Sequence, residues 1–207
     1  MNVIAIIAQK GGTGKTTLTL SLAVAAQRAG MTTAIIDLDP QATATNWADR
    51  RENAPPIVVS AQPARLPHVL QTARDTGADM VFIDTPPRAE QTALAAAKAA
   101  NLIIIPCRPA IFDLDTLSTT LELIRYTGER NVTAILNGVP PRGTKSEQAA
   151  EVVRGYNLSV CPVSLGNRTA FSDAGIYGQT AQEYDPTGKA AQEVANAYEF
   201  MCKLLNS

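Results

Sequence analysis

The sequence predicts an α/β domain with a doubly wound, mostly parallel sheet and helices on both faces. Three observations lead there. Short apolar runs alternate with stretches of helical periodicity along nearly the whole chain. Those runs are β-branched and lack polar alternation, as strands covered on both faces do. Most helical stretches are closed by a glycine, the residue that most readily turns left-handed past a helix C-terminus. A chain of this pattern folds as right-handed βαβ units.

Strands are expected at residues 3–8, 33–37, 57–60, 80–84, 102–106, 132–136 and 159–161. Helices are expected at 16–29 closed by Gly30, 66–76 closed by Gly77, 90–100, 114–127 closed by Gly128, and 146–154 closed by Gly155. A last helix is marked by Asp185 as its cap, Pro186 in its first turn, and a stripe of Ala190, Val194, Ala197, Tyr198, Met201 and Leu204.

At 207 residues the chain suits one well-cored domain, taken as residues 1–207. An apolar share of 45% with only 5% aromatics predicts an aliphatic core. A formal charge of −1 provides no global field for nucleic acid or an anionic membrane, so such a partner needs a local patch. Cys107, Cys161 and Cys202 form no CxxC pair and read as reduced, buried thiols of a cytoplasmic protein. The apolar N-terminus lacks a basic flank and runs into glycines, so it is a strand and not a signal peptide. No apolar run approaches the length of a membrane span.

Chemistry concentrates first at Gln9-Lys10-Gly11-Gly12-Thr13-Gly14-Lys15-Thr16-Thr17, between the first strand and the first helix. Such a loop exposes backbone N–H groups at the positive end of a helix, and glycines let it wrap a phosphate. Lys15 then reaches the outer phosphates, while the Thr16 hydroxyl joins a Mg²⁺ shell. The predicted fold is therefore a P-loop NTPase domain. The second strand ends in Asp37 and Asp39, at the sheet edge where open α/β folds bind ligands. Residues 80–83 are apolar and lead to Asp84, placed as a Walker B acid holding Mg²⁺ through water, with Thr85-Pro86-Pro87 opening switch II. The lone histidine, His68, is expected to face solvent, and no nucleophilic triad competes with the loop.

The loop departs from the ordinary Walker A pattern, with Gln9 where that pattern has glycine and Lys10 ahead of two glycines. Lys10-Gly11-Gly12-x-Gly14-Lys15-Thr16 resembles the deviant Walker A family of ParA, MinD and the nitrogenase iron protein. The resemblance implies that Lys10 acts across a face-to-face homodimer formed on ATP binding, as an arginine finger does. Asp-x-Asp-Pro-Gln at 37–41 resembles the ParA switch I, which gives Asp39 the role of orienting the attacking water and leaves Asp37 near the metal's outer shell or in a structural hydrogen bond. Pro106-x-x-Pro109-x-x-x-Asp113 resembles a segment lining the dimer contact of small ParA proteins. Asn137 and Pro162 fall where the family contacts adenine, alongside the phosphate-binding Gly11, Gly12, Thr13, Gly14, Lys15, Thr16 and Thr17. Residues 167–174 and 183–186 also resemble ParA proteins, so the likeness spans nearly the whole chain.

That branch implies an ATPase using ATP and Mg²⁺, non-specific DNA binding by the dimer, and a ParB-like or other adaptor that stimulates hydrolysis. It also implies a cytoplasmic, nucleoid-associated location and the positioning of a plasmid, chromosome region or protein cargo such as a chemoreceptor cluster or carboxysome. The alternatives are a MinD-like membrane-cycling ATPase, disfavoured by the missing basic amphipathic tail, and an iron-protein-like ATPase, disfavoured by the cysteine spacing. Between residues 125 and 170, Arg125, Arg130, Arg142, Lys145, Arg154 and Arg168 slightly outweigh Glu129, Glu147 and Glu151. Arg168 is the candidate DNA contact, with an intramolecular salt bridge as the other reading. The loop's position at residue 9 leaves no room for the N-terminal helix-turn-helix domain of larger ParA proteins, so operator recognition is not expected.

Overall fold

The computed structural model describes residues 1–52, 54–128 and 131–206; Glu129 and Arg130 of the mixed-charge segment lie outside them. Strands β1 (Asn2–Ile6), β2 (Thr33–Asp37), β3 (Ile57–Ser60), β4 (Met80–Asp84), β5 (Leu102–Cys107), β6 (Asn131–Leu136) and β7 (Ser159–Val160) form one sheet in the order β3-β2-β4-β1-β5-β6-β7. Every pairing between these strands is parallel. The helices are α1 (Lys15–Arg28), α2 (Thr43–Arg50), α3 (Leu66–Asp75), α4 (Glu90–Ala99), α5 (Ile111–Arg125), α6 (Lys145–Gly155), α7 (Ala170–Ile176), α8 (Ala181–Tyr184) and α9 (Lys189–Leu205).

The apolar runs lack alternation because both sheet faces are covered. In β1, Val3 and Ala5 join a buried cluster with Leu66 of α3, Ala96 of α4, Leu117 of α5 and Val153 of α6. Ile4 and Ile6 point the other way, as strand geometry requires. They join Leu18 and Leu22 of α1, Trp47 of α2 and Val194 of α9. The last helix buries Ala190, Val194, Ala197 and Met201 and packs Tyr198 and Leu204 at the cluster's margin, as its stripe predicts.

Gly30, Gly77 and Gly128 follow α1, α3 and α5 with φ of 87°, 81° and 88°, as expected. Elsewhere the boundaries differ. Gly155 is the last residue of α6 and does not close it; Asn157 takes the positive φ of 59°. Asp185 does not cap the last helix, because the chain first makes α8 and Asp185 is that helix's C-cap. Pro186 therefore lies in the connecting turn, and α9 starts at Lys189 behind Gly188. Helices α2, α7 and α8 are additional to the expected set.

Register is what positions the site. Ile6 pairs with Asp84, and Asp84 with Asp37, so three strand ends open side by side on one edge. There β1 is flanked by β4 on one side and β5 on the other, and the chain order reverses about it. Open α/β sheets bind ligands at such a point.

Candidate functional site

The loop from β1 to α1 takes its shape from two glycines, Gly12 at φ 75° and Gly14 at φ 93°. A Cβ at Gly14 would lie 2.0 Å from Asn137 Nδ2. That close approach lets Asn137 donate to the Thr13 carbonyl at 2.7 Å, tying the loop to the end of β6. The first N–H groups of α1 have no acceptor within the helix and face outward at its positive end. Space is open beside Gly12, where an added Cβ would meet nothing within 4 Å. The loop is thus a cradle with room for an anion.

Lys15 is buried, and its Nζ donates to the Lys10 carbonyl at 3.1 Å, folding the ammonium over the loop. Burial lowers its pKa, opposed by the charges of Asp84 and Asp39. Asp84 is fully buried and accepts from Thr16 Oγ1 at 2.7 Å and Thr19 Oγ1 at 3.3 Å. Burial pushes its carboxyl up to about 7; the Thr16 hydroxyl and Lys15 oppose the rise, and Asp37 and Asp39 add to it. A bound cation would reverse that balance and ionise the group. Thr16 and Asp84, named from sequence as the metal-holding pair, are therefore adjacent, and the chemistry of the pair fits a hydrated Mg²⁺.

The two acids after β2 separate in role. Asp37 is buried and accepts from the Asp39 N–H at 3.0 Å and from both the N–H and hydroxyl of Thr45 at 3.0 Å. It thereby satisfies the start of α2, and of the two readings left open by the sequence the structure shows the hydrogen-bonded one. Asp39 is half-buried, with one oxygen on the Gln41 N–H at 2.9 Å.

Lys10, assigned by resemblance to a second subunit, is held within its own chain. Its Nζ lies 2.7 Å from Asp113 Oδ2 in the first turn of α5, beyond Pro106 and Pro109. Asp113 is buried and its other oxygen, Oδ1, has no hydrogen-bond partner. Thr85, directly after β4, donates to the Ile6 carbonyl at 2.7 Å, locking the end of β4 to β1.

Beside the loop lies a cleft of about 350 Å³, lined by Gly12, Gly14, Thr17, Asn137, Arg168 and Phe171 among others. Asn137, which the resemblance puts at the adenine, lines this cleft with its amide nitrogen on the Thr13 carbonyl. Pro162 is exposed and lies outside the cleft lining. Arg168 is paired with Glu193 of α9 through Nε at 2.9 Å and through its second nitrogen. Phe171 belongs to the ParA-like segment 167–174, whereas Arg108, also in the lining, and Glu193 were not anticipated; an exposed arginine and a helical glutamate bear no local signal of a site. His68 is exposed, and Cys107 and Cys161 are buried free thiols while Cys202 is half-buried. Burial drives the Cys107 thiol up to about 12, with Asp113 adding, so it is inert. Among the described residues no helix is long and apolar enough to cross a membrane.

Comparison with known proteins agrees with this geometry. The family described as the CobQ/CobB/MinD/ParA nucleotide binding domain matches residues 4–181. The chain is 29% identical to the maintenance of carboxysome distribution protein A of Gloeobacter kilaueensis, over 99% of this chain and 94% of that protein. It is 31% identical to the chromosome-partitioning ATPase Soj of Thermus thermophilus, over 91% of this chain and 90% of that one. Among solved structures, the septum site-determining protein MinD of Pyrococcus horikoshii with Mg-ADP superposes with a TM-score of 0.78 at 22% identity, covering 98% of this chain and 96% of that one. Apo McdA of Cyanothece does so with 0.79 at 18% identity, covering 99% of each.

Proposed function

The chain belongs to the CobQ/CobB/MinD/ParA nucleotide-binding family, and from that premise we propose that it is a Mg²⁺-dependent ATPase of the ParA type. It dimerises on binding ATP, the dimer binds DNA without sequence preference, and an adaptor of the ParB kind stimulates hydrolysis to position a plasmid, chromosome region or protein cargo. The observation that carries this reading is the convergence on one sheet edge of a cradle, a buried Lys15, the Thr16–Asp84 pair and the half-buried Asp39.

The backbone of residues 11–17 takes the phosphates, and Lys15 supplies charge to the outer ones. Mg²⁺ held through Thr16 and Asp84 would neutralise charge on the phosphoryl oxygens. Asp39 orients the attacking water, and Lys10 exchanges Asp113 for the nucleotide of the second copy. Cargo is drawn from two relatives whose names concern carboxysome distribution and chromosome partitioning. A reading without stable membrane association is supported by α9, which turns its apolar stripe inward.

Titration calorimetry is expected to show saturable uptake of MgATP, and well-folded protein that takes up none overturns the reading. Lys10→Ala is expected to keep ATP binding and lose dimer-dependent hydrolysis; normal dimer formation and turnover reject the cross-subunit role. Turnover in Asp39→Ala should fall about 100-fold. Retention of DNA should need ATP and decline steeply with added salt.

A further inference from the structure

Beyond β7 the chain goes on pairing with the residues that follow β6, through a parallel bridge between Val139 and Gly166. Leu165 N–H donates to the Leu136 carbonyl at 2.8 Å, Val139 N–H to Leu165 at 3.0 Å, and Asn167 N–H to Val139 at 2.8 Å. These rungs bracket Asn137, the residue that pins the phosphate loop. Successive N–H groups along an extended chain point to opposite sides. Those of Leu165 and Asn167 are spent on the β6 side, and that of Gly166 faces the open edge of the sheet. It finds its acceptor in Glu193 Oε2 at 3.0 Å.

The same oxygen accepts from Arg168 Nε at 2.9 Å, and Oε1 accepts from the other nitrogen of the guanidinium fork. Arg168 folds back so closely that a Cβ at Gly166 would sit 3.0 Å from its Nε. One carboxylate from α9 thus accepts from the Gly166 N–H and from two nitrogens of Arg168. The side chains of Glu193 and Arg168 are only 18% and 29% exposed, so the charge-assisted bonds are partly shielded from water. Both Gly166 and Arg168 line the cleft beside the phosphate loop.

We propose that Glu193 is a positioning residue for the nucleotide base: by clamping the 166–168 loop it fixes the wall of the cleft that receives the base, and so ties α9 to nucleotide affinity. This rests on the proposed nucleotide reading of the cleft. Arg168 then serves as part of that wall. The phosphate-binding side chains have their own supports, Lys15 on the Lys10 carbonyl and Thr16 on Asp84 of β4, so the clamp acts chiefly on the base.

The test compares MgATP with magnesium tripolyphosphate, which carries the phosphates and no base, by calorimetry on wild type, Glu193→Ala and Glu193→Gln. Glu193→Ala should bind MgATP about tenfold more weakly and tripolyphosphate as wild type does. Glu193→Gln keeps one acceptor oxygen for the Gly166 N–H and should fall between the two. Unchanged MgATP affinity in Glu193→Ala, or equal losses for both ligands, overturns the proposal. Wild type that takes up neither ligand overturns the nucleotide reading itself, and the clamp with it.

Discussion

Two polar regions flank helix α1, and they treat buried charge in opposite ways. At the phosphate edge it is left in deficit. Burial lowers the pKa of Lys15 and raises that of Asp84 to about 7, and Asp113 Oδ1 has no partner. Around α2 and α8 it is saturated. Arg51 donates to the Gly178 carbonyl at 2.8 Å and to both oxygens of Glu183, at 2.9 and 2.8 Å. Its guanidinium lies 4.5 Å over the Trp47 ring, whose N–H donates to the Gln179 carbonyl at 3.0 Å. Glu183 also closes a capping box with Thr180. Gln182 Oε1, on the side of α8 turned to α1, is the exception to that saturation. A fold tolerates unpaired buried groups where a ligand will complete them, and completes them itself where they only hold elements together.

The sharpest way to break this contrast is Lys15→Met, which removes the buried ammonium and keeps the stem's volume. MgATP affinity should fall at least 100-fold, since the cation meets the phosphates. The ligand-free protein should unfold at the same denaturant concentration as wild type or higher, because a desolvated charge is removed. Loss of ligand-free stability would show that Lys15 is a structural group like Arg51.

Glu183→Gln tests the other side. Burial alone would raise the Glu183 pKa, but the Arg51 and Thr180 hydrogen bonds outweigh it and the net shift is downward. A depressed folded pKa means stability that is present above the unfolded value, 4.5, and is lost as pH falls through the folded one. The variant should therefore be about 2–3 kcal/mol less stable at neutral pH, because Arg51 keeps its charge with half a partner. Denaturation curves of the two proteins should converge in acid. A gap that persists there would deny the ion pair its role.

The same contrast decides what the sequence could reveal. The phosphate edge was legible because its parts are local: Gly12, Gly14, Lys15 and Thr16 are contiguous, and Asp84 ends an apolar strand. The region around α2 and α8 was not, because α2 has no local cap. Its N-cap is Ala42, with a φ of 53° and no side-chain acceptor, and the Thr45 N–H is met by Asp37 from the end of β2. Only Ala44 and Trp47 of α2 are buried, too few for a period to show. The Thr180-x-x-Glu183 box was readable, and it marks α8 and not the start of the last helix. Glu193 looked like any solvated helical acid, since its partners Gly166 and Arg168 lie 27 and 25 residues away.

The finest distinction falls on Asp84. Its folded pKa, about 7, stands above the unfolded value of 3.8, so its contribution to stability is present below 3.8 and is lost as pH rises through 7. Without metal, the wild-type protein should therefore lose stability between those values, as a buried carboxylate is forced to ionise. Asparagine is neutral throughout and still offers an oxygen to the Thr16 hydroxyl. In chelator, Asp84→Asn should match wild type near pH 4 and exceed it by up to about 4 kcal/mol near pH 8. Mg²⁺ with nucleotide should reverse the order, stabilising wild type and leaving the variant nearly unmoved. If Asp84→Asn proves less stable than wild type in chelator at the higher pH, the carboxylate is a structural partner of Thr16 and Thr19, and the phosphate edge holds no deficit at that residue for a cation to complete.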